Sequence, residues 1–254
     1  MGFQPLPRLS NGKRHLPLPR GRYAVGTTDV MTKSNLFVRC FYPTKLIESS
    51  QDHLDNSTNF PLWLPSLEYA DGYLRFKLTS GMPLLARFFR FLLHDPVCPT
   101  NHNAPVLNIG KPLPVVIFSH GMGAMRTTYS ILLTELASSG HFVAALEHKD
   151  GSGSATQNVD GSFTFERHVA TEEIEYNVRN EQVNQRVQEC ESAFNLLCQL
   201  SGQRIEETFE IEGSESSEFK QSMPKAQLDL NDQCFISGHS FGGATALKSI
   251  YTSK

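Results

Sequence analysis

Apolar positions fall into two patterns along the chain. Short continuous runs bounded by turn residues, Pro114–Ser119 (PVVIFS) and Phe142–Leu146 (FVAAL), predict strands buried on both faces. Between them the spacing predicts a helix over 126–139, with Ile131, Leu132, Glu135 and Leu136 turned inward and Gly140 as its C-terminal stop. Strand, helix and strand in that order form a βαβ unit and imply a parallel sheet. Two further strands are predicted earlier, at Tyr23–Thr27 and Asn35–Tyr42, the second stopped by Pro43. A long helix from about Val178 to Leu200 carries Val183, Val187, Cys190, Phe194 and Leu197 as one apolar stripe opposite a charged face. The last predicted strand, Gln233–Ser237, runs into a glycine-rich turn and then a helical stretch to Lys254.

The remaining segments are less regular. Residues 1–20 mix prolines with basic residues and read as a mobile N-terminal arm, leaving 21–254 as the N-terminal part of one domain. Residues 45–60 are polar, 61–72 form a proline-bounded segment, and 149–172 are polar and glycine-rich. Six glutamates over 206–218 read as a solvated surface loop. Pro83–Leu93 (PLLARFFRFLL) is a predicted helix with two charges, Arg87 and Arg90, on one face. Such a helix fits a core position with snorkelling arginines or a membrane interface.

Composition narrows the function classes. The 254 residues carry 23 Lys+Arg against 26 Asp+Glu, so the basic stripe of a nucleic-acid binder is absent. No apolar run reaches the roughly 18 residues of a membrane span, and the first thirty residues lack the apolar stretch of a secretory signal. Five cysteines without a C-x-x-C pair indicate neither a disulfide framework nor a zinc site. A cytoplasmic, reducing location is the expectation.

The chemistry is concentrated at Gly238-His239-Ser240-Phe241-Gly242. This is G-x-S-x-G between an apolar strand and a helical pattern, the setting of a nucleophile elbow in an α/β-hydrolase. The turn is tight, so positions two residues either side of the serine must lack bulk, and Gly238 and Gly242 supply that. Ser240 is the candidate nucleophile. An oxyanion hole needs two backbone donors: the residue after the nucleophile, Phe241, and one from the loop after the PVVIF strand, where Met122 in Ser119-His120-Gly121-Met122-Gly123 is the candidate. His120 is expected to brace that loop.

Several blocks together resemble one family. GHSFGGATA at 238–246, VIFSHGMGAMRTTYS at 116–130, EHKD at 147–150, NVRNEQVNQRVQEC at 177–190 and Trp63-Leu64-Pro65 with Glu68-Tyr69 are similar to segments of the platelet-activating factor acetylhydrolases of the plasma/intracellular type II family, the group VII phospholipases A2. Met122 replaces the family's usual Leu and Lys149 an Arg, and neither change removes a backbone donor. The resemblance implies an α/β-hydrolase fold, a mostly parallel sheet with flanking helices. It implies hydrolysis, without a metal or other cofactor, of the sn-2 acetyl or short or oxidised acyl ester of phospholipids. It also implies contact with a membrane or lipoprotein surface, with Leu84, Leu85, Phe88, Phe89 and Leu92 as inserting residues.

After Ser240 the chain has no Asp, Glu or His. In this fold the triad acid and base follow the serine along the chain. The expectation is therefore a fragment or truncated form lacking the C-terminal strands and both of those residues. A non-catalytic lipid-binding product, or another lipase or thioesterase of the same fold, is the alternative.

Overall fold

The computed structural model describes residues 6–9, 11–45, 60–77, 96–166, 172–203, 208–212 and 218–252. The expected membrane-interface residues Leu84, Leu85, Phe88, Phe89 and Leu92 lie outside them, as does most of the polar 45–60 segment.

The chain begins with an antiparallel pair, β1 (Ala24–Met31) and β2 (Phe37–Thr44). After α1 (Leu67–Lys77) and the short β3 (Asn101–His102) comes the βαβ unit: β4 (Leu113–Ser119), α2 (Ser130–Ser138) and β5 (Phe142–Glu147). A small hairpin, β6 (Ala155–Gln157) and β7 (Phe163–Phe165), precedes the long α3 (Glu172–Leu200). Then α4 (Glu218–Ser222), β8 (Leu228–Gly238) and α5 (Phe241–Thr252) complete the described chain. The main sheet has the order β3-β1-β2-β5-β4-β8, with β5, β4 and β8 parallel.

The continuous apolar runs are explained by burial on both faces of this sheet. On one face Val115 and Ile117 of β4 pack with Ala144 and Leu146 of β5 against Cys190, Ala193, Leu196 and Leu197 of α3. On the other, Val116 and Phe118 pack with Val143 and Ala145 against Leu133 and Ala137 of α2. Alternate residues of one strand thus serve two layers of helix.

Several expectations are corrected. Pro43 does not stop β2; it pairs with Val25, beyond the last residue of β2 that pairs with β5, where no ladder donor is needed on that side. Helix α2 starts at Ser130, and its buried face is Ser130, Leu133, Thr134, Ala137 and Ser138, while Ile131 and Leu132 are exposed. Small side chains let this helix approach closely enough that a Cβ on Gly21 would collide with Ser138. Its end is as expected: Gly140 has φ +101°, with its N–H on the Ala137 carbonyl and the His141 N–H on the Leu136 carbonyl, the paired bonds of a Schellman cap. The segment expected as a mobile arm is held where it is described. Leu9 and Leu16 are buried, and the Leu16 and Val97 amides bond to the Val97 and Arg14 carbonyls. Within the acidic stretch, Phe209 is buried and residues 210–212 hydrogen-bond along the end of β1, so this part is docked. The polar stretch 149–172 contains the β6–β7 hairpin, closed by a turn with Gly161 at φ +81°.

β8 is the last strand of the described sheet. Its pairing with β4 is irregular: Asp229 faces Pro114 but Cys234 faces Val115, so residues 230–233 bulge from the ladder. The Asp229 carboxylate ties the bulge by accepting from the Asp232 and Gln233 amides. Beyond it the register runs cleanly to Ser119 opposite Gly238.

Candidate active site

That final pairing sets two turns side by side at the C-terminal ends of β4 and β8. Ser240 sits between β8 and α5 with φ +54°, a left-handed conformation that costs a non-glycine residue of order 1–3 kcal/mol. The turn is closed by the Gly242 N–H on the His239 carbonyl and the Gly243 N–H on the Ser240 carbonyl, both 2.9 Å. Gly238 and Gly242 are required by contact. A Cβ on Gly242 would come within 2.9 Å of the His120 carbonyl oxygen and closer still to that of Ser119, and one on Gly238 within 2.7 Å of the Ser119 oxygen. Ser240 is exposed at the first turn of α5, where the helix dipole favours negative charge.

The loop 119–123 lies against this elbow. The His239 N–H reaches the Ser119 carbonyl at 3.3 Å, and Tyr129 Oη bridges the Gly121 amide, 3.3 Å, and His239 Nδ1, 2.9 Å. The Met122 and Phe241 amides form no hydrogen bond among the described residues. Gly123 turns the loop with φ +67°, and its N–H bonds to the Ser152 carbonyl at 2.8 Å.

The histidines near the elbow are engaged elsewhere. His120 is buried; its Nδ1 donates to the Gly121 carbonyl, 2.8 Å, and its Nε2 accepts from the His148 amide, 3.3 Å. Burial, reinforced by Arg186 and His148, holds its pKa well below the usual histidine value. His148 Nε2 lies 2.7 Å from Ser119 Oγ and its Nδ1 2.5 Å from Glu189 Oε2. Serine, imidazole and carboxylate in this order copy a catalytic relay, but Ser119 is 0% exposed and no ester can reach it. Burial pushes the Glu189 carboxyl up to about 7 and, with the Arg186 cation, holds His148 down.

A second buried network anchors the far end of the loop. Arg126, just past Met125, pairs with Asp29 at 3.1 Å and also with Glu147 and Tyr69, while Arg39 forms a bidentate pair with Asp29 at 2.7 and 2.6 Å. Burial opposes ionisation of Asp29, but Arg126 and Arg39 prevail and hold its carboxyl well below the usual range. Trp63 Nε1 donates to the Thr127 carbonyl at 2.7 Å, and Tyr69 Oη to Glu147 at 2.6 Å. Sequence reasoning assigned no role to Arg126, His148, Arg186 or Glu189. Their only signal was their position inside the blocks that carry the family resemblance. Among the described residues no cluster of His, Cys, Asp and Glu is placed to hold a metal ion.

Comparison with known proteins identifies the family and the fold. Residues 8–254 match the family described as platelet-activating factor acetylhydrolase, isoform II. The chain is 37% identical over 251 residues to the platelet-activating factor acetylhydrolase of Canis lupus familiaris and 34% over 254 residues to that of Gallus gallus, covering 92% of this chain in each case. It is 29% identical over 235 residues, 82% of this chain, to a putative phospholipase A2 of Schizosaccharomyces pombe, covering 49% of that protein. The chain spans about half the length of the relatives it matches, 52% of the dog protein and 56% of the chicken one. A ferulic acid esterase from Streptomyces cinnamoneus superposes with a TM-score of 0.58 at 18% identity over 94% of this chain and 59% of that one, a likeness of fold. The sheet order, the elbow and this likeness make the fold that of an α/β-hydrolase, and the chain belongs to the platelet-activating factor acetylhydrolase, isoform II, family.

Proposed function

We propose that this chain carries the nucleophile and oxyanion hole of a serine esterase that removes the sn-2 acetyl, or a short or oxidised acyl group, from platelet-activating factor and related phospholipids. Ser240 gives its proton to a general base and attacks the ester carbonyl, and the Met122 and Phe241 amides receive the negative charge that develops on its oxygen. The acyl C–O bond then breaks, so that the sn-2 glycerol oxygen leaves with that proton and the acyl group stays on Ser240 until water releases it. The observation that carries the reading is the left-handed Ser240 held between two glycines whose missing Cβ atoms admit the Ser119 and His120 carbonyls. The names of the relatives supply the substrate class. Such a substrate is met at a lipid surface, so peripheral contact with a membrane or lipoprotein is part of the proposal. A cytoplasmic location is also part of it and rests on the cysteine usage and the first thirty residues. No helix among the described residues is long and apolar enough to cross a membrane.

The test compares the full-length protein with Ser240→Ala on 1-alkyl-2-acetyl-glycerophosphocholine and on a long-chain sn-2 analogue. Preferential acetyl hydrolysis, reduced on the order of 10³-fold or more by the substitution, is the expected result. Liposome binding without turnover, unchanged by Ser240→Ala, would instead make the protein a non-catalytic lipid binder. Equal hydrolysis of both esters would point to another lipase of this fold.

A further inference from the structure

The two candidate oxyanion donors come from different elements, and the direct bond between their segments is long: the His239 N–H to Ser119 carbonyl contact of 3.3 Å. A third element joins them. Arg186 of α3 is 0% exposed, and its Nη1 donates to the His120 carbonyl at 2.6 Å, on the loop that carries Met122. The same nitrogen lies 3.5 Å from Ser119 Oγ. Nε donates to Asp150 Oδ2 at 2.7 Å and Nη2 to Ser152 Oγ at 2.6 Å. The guanidinium carbon stands 4.6 Å from the centre of the Phe241 ring. One planar cation therefore touches the carbonyl two residues before Met122 and the side chain of Phe241, while three acceptors stop it from sliding.

We propose that Arg186 is the positioning residue that sets the spacing between the Met122 and Phe241 amides, so that both converge on one oxyanion. The proposal rests on the serine-esterase reading above. The arrangement needs arginine. A lysine ammonium has neither the rigid fork that serves His120, Asp150 and Ser152 together nor a flat face for the Phe241 ring. Arg186 never meets the substrate; it acts through the two backbone segments it joins. An error of about an ångström in such a pair is enough to cost on the order of 10²-fold in rate.

The test uses the full-length protein with Arg186→Lys, which keeps the buried charge, and Ser152→Ala, which removes one anchor of the guanidinium. Active sites are counted with a fluorophosphonate. Turnover is measured on 1-alkyl-2-acetyl-glycerophosphocholine, and binding with a short-chain trifluoromethyl ketone, whose adduct with serine bears an oxyanion. For Arg186→Lys, kcat per titrated site falls on the order of 100-fold, KM stays within about threefold, and the ketone Ki rises in parallel with KM/kcat. Ser152→Ala moves the same quantities in the same direction by on the order of threefold to tenfold. A purely structural role would lower the number of titratable sites and leave kcat per site and Ki unchanged, which overturns the proposal. Should Arg186→Lys fail to fold, an unchanged Ki in Ser152→Ala overturns it equally. Amide exchange gives a readout apart from turnover: segments 119–123 and 239–243 exchange faster in Arg186→Lys while α2 does not, and unaltered exchange there counts against the proposal. If the wild-type protein neither turns over ester nor is labelled at Ser240, the esterase reading fails and the positioning proposal falls with it. Ester turnover with an unchanged Ki in the variants defeats the positioning proposal alone.

Discussion

The backbone of Ser119 occupies the space that a side chain on Gly242 would need: a Cβ there would lie under 3.0 Å from both the carbonyl carbon and oxygen of Ser119. The contact joins the end of β4 to the first turn of α5, and so joins the oxyanion loop to the nucleophile elbow.

Gly242→Ala must therefore push two backbones apart, and a loss of about 3 kcal/mol is expected. Gly243→Ala next to it meets nothing closer than 3.8 Å, and no left-handed φ stands in its way. It should be neutral or stabilising by up to about 1 kcal/mol, because alanine restricts the unfolded chain. Denaturant midpoints of the two variants check the contrast, and equal losses would refute the contact.

Arg126 neutralises the buried carboxylate of Glu147 and the partly buried one of Asp29. Arg126→Met removes the cation beside buried Glu147, while Asp29 keeps its bidentate pair with Arg39, and should cost about 3–5 kcal/mol. Asp29 also sets an acid limit. Its folded pKa lies below the ordinary 3.8, so its stabilisation is present above 3.8 and is lost as pH falls through the lower folded value. Chemical denaturation of wild type and Arg126→Met across the acid range measures both effects, the variant having the weaker dependence in that window.

His148 and Glu189 should give opposing pH dependences. Glu189 has a folded pKa of about 7 against an ordinary 4.5, so its contribution is complete below 4.5 and is lost as pH rises to 7. His148 is held well below 6.5, so its contribution is present above 6.5 and is lost on acidification. Just below pH 6.5 the folded pair holds its proton on Glu189 and the unfolded pair on His148, so the two contributions oppose one another. Glu189→Gln removes one side of this balance. The variant should lose stability as pH falls below 6.5, where in the wild-type protein the Glu189 contribution opposes that loss. Parallel stability–pH curves for the two proteins would show that the pair is not coupled in this way.

At the end of α2, Gly140 with φ +101° ends the helix in a conformation costly to any side chain. Gly140→Ala should lower stability by about 1–2 kcal/mol without altering the elbow. Thermal unfolding together with fluorophosphonate labelling of Ser240 separates the two effects.

Much of this architecture was legible in the sequence, for local reasons. PVVIFS and FVAAL had to be strands covered on both faces, because no alternation offered a wet side. The glycines around Ser240 had to admit close backbone, and Gly140 had to follow a helix. Each of these conclusions depends on a few consecutive residues. The inward face of α2 was not legible: Ile131, Leu132 and Leu133 are consecutive and point in different directions, so periodicity could not choose among them. Packing chose Leu133 and Ala137, with Ser130, Thr134 and Ser138, because small side chains let the helix sit close to the sheet. The buried charges were hidden more deeply. Ser119 and His148 are 29 residues apart, and His148 and Glu189 are 41 apart. On α3, Arg186 and Glu189 lie next to residues of the apolar stripe, and the periodicity marks neither as inward-facing. A helix pattern records which positions face inward on average, whereas the partner that makes a buried charge tolerable lies on another element. Sequence by itself thus determined the βαβ strands, the glycine stop after α2 and the serine between its glycines. Only the tertiary structure decided that Arg186 should join the loop of Met122 to the ring of Phe241, because that contact exists only once three distant segments are packed together.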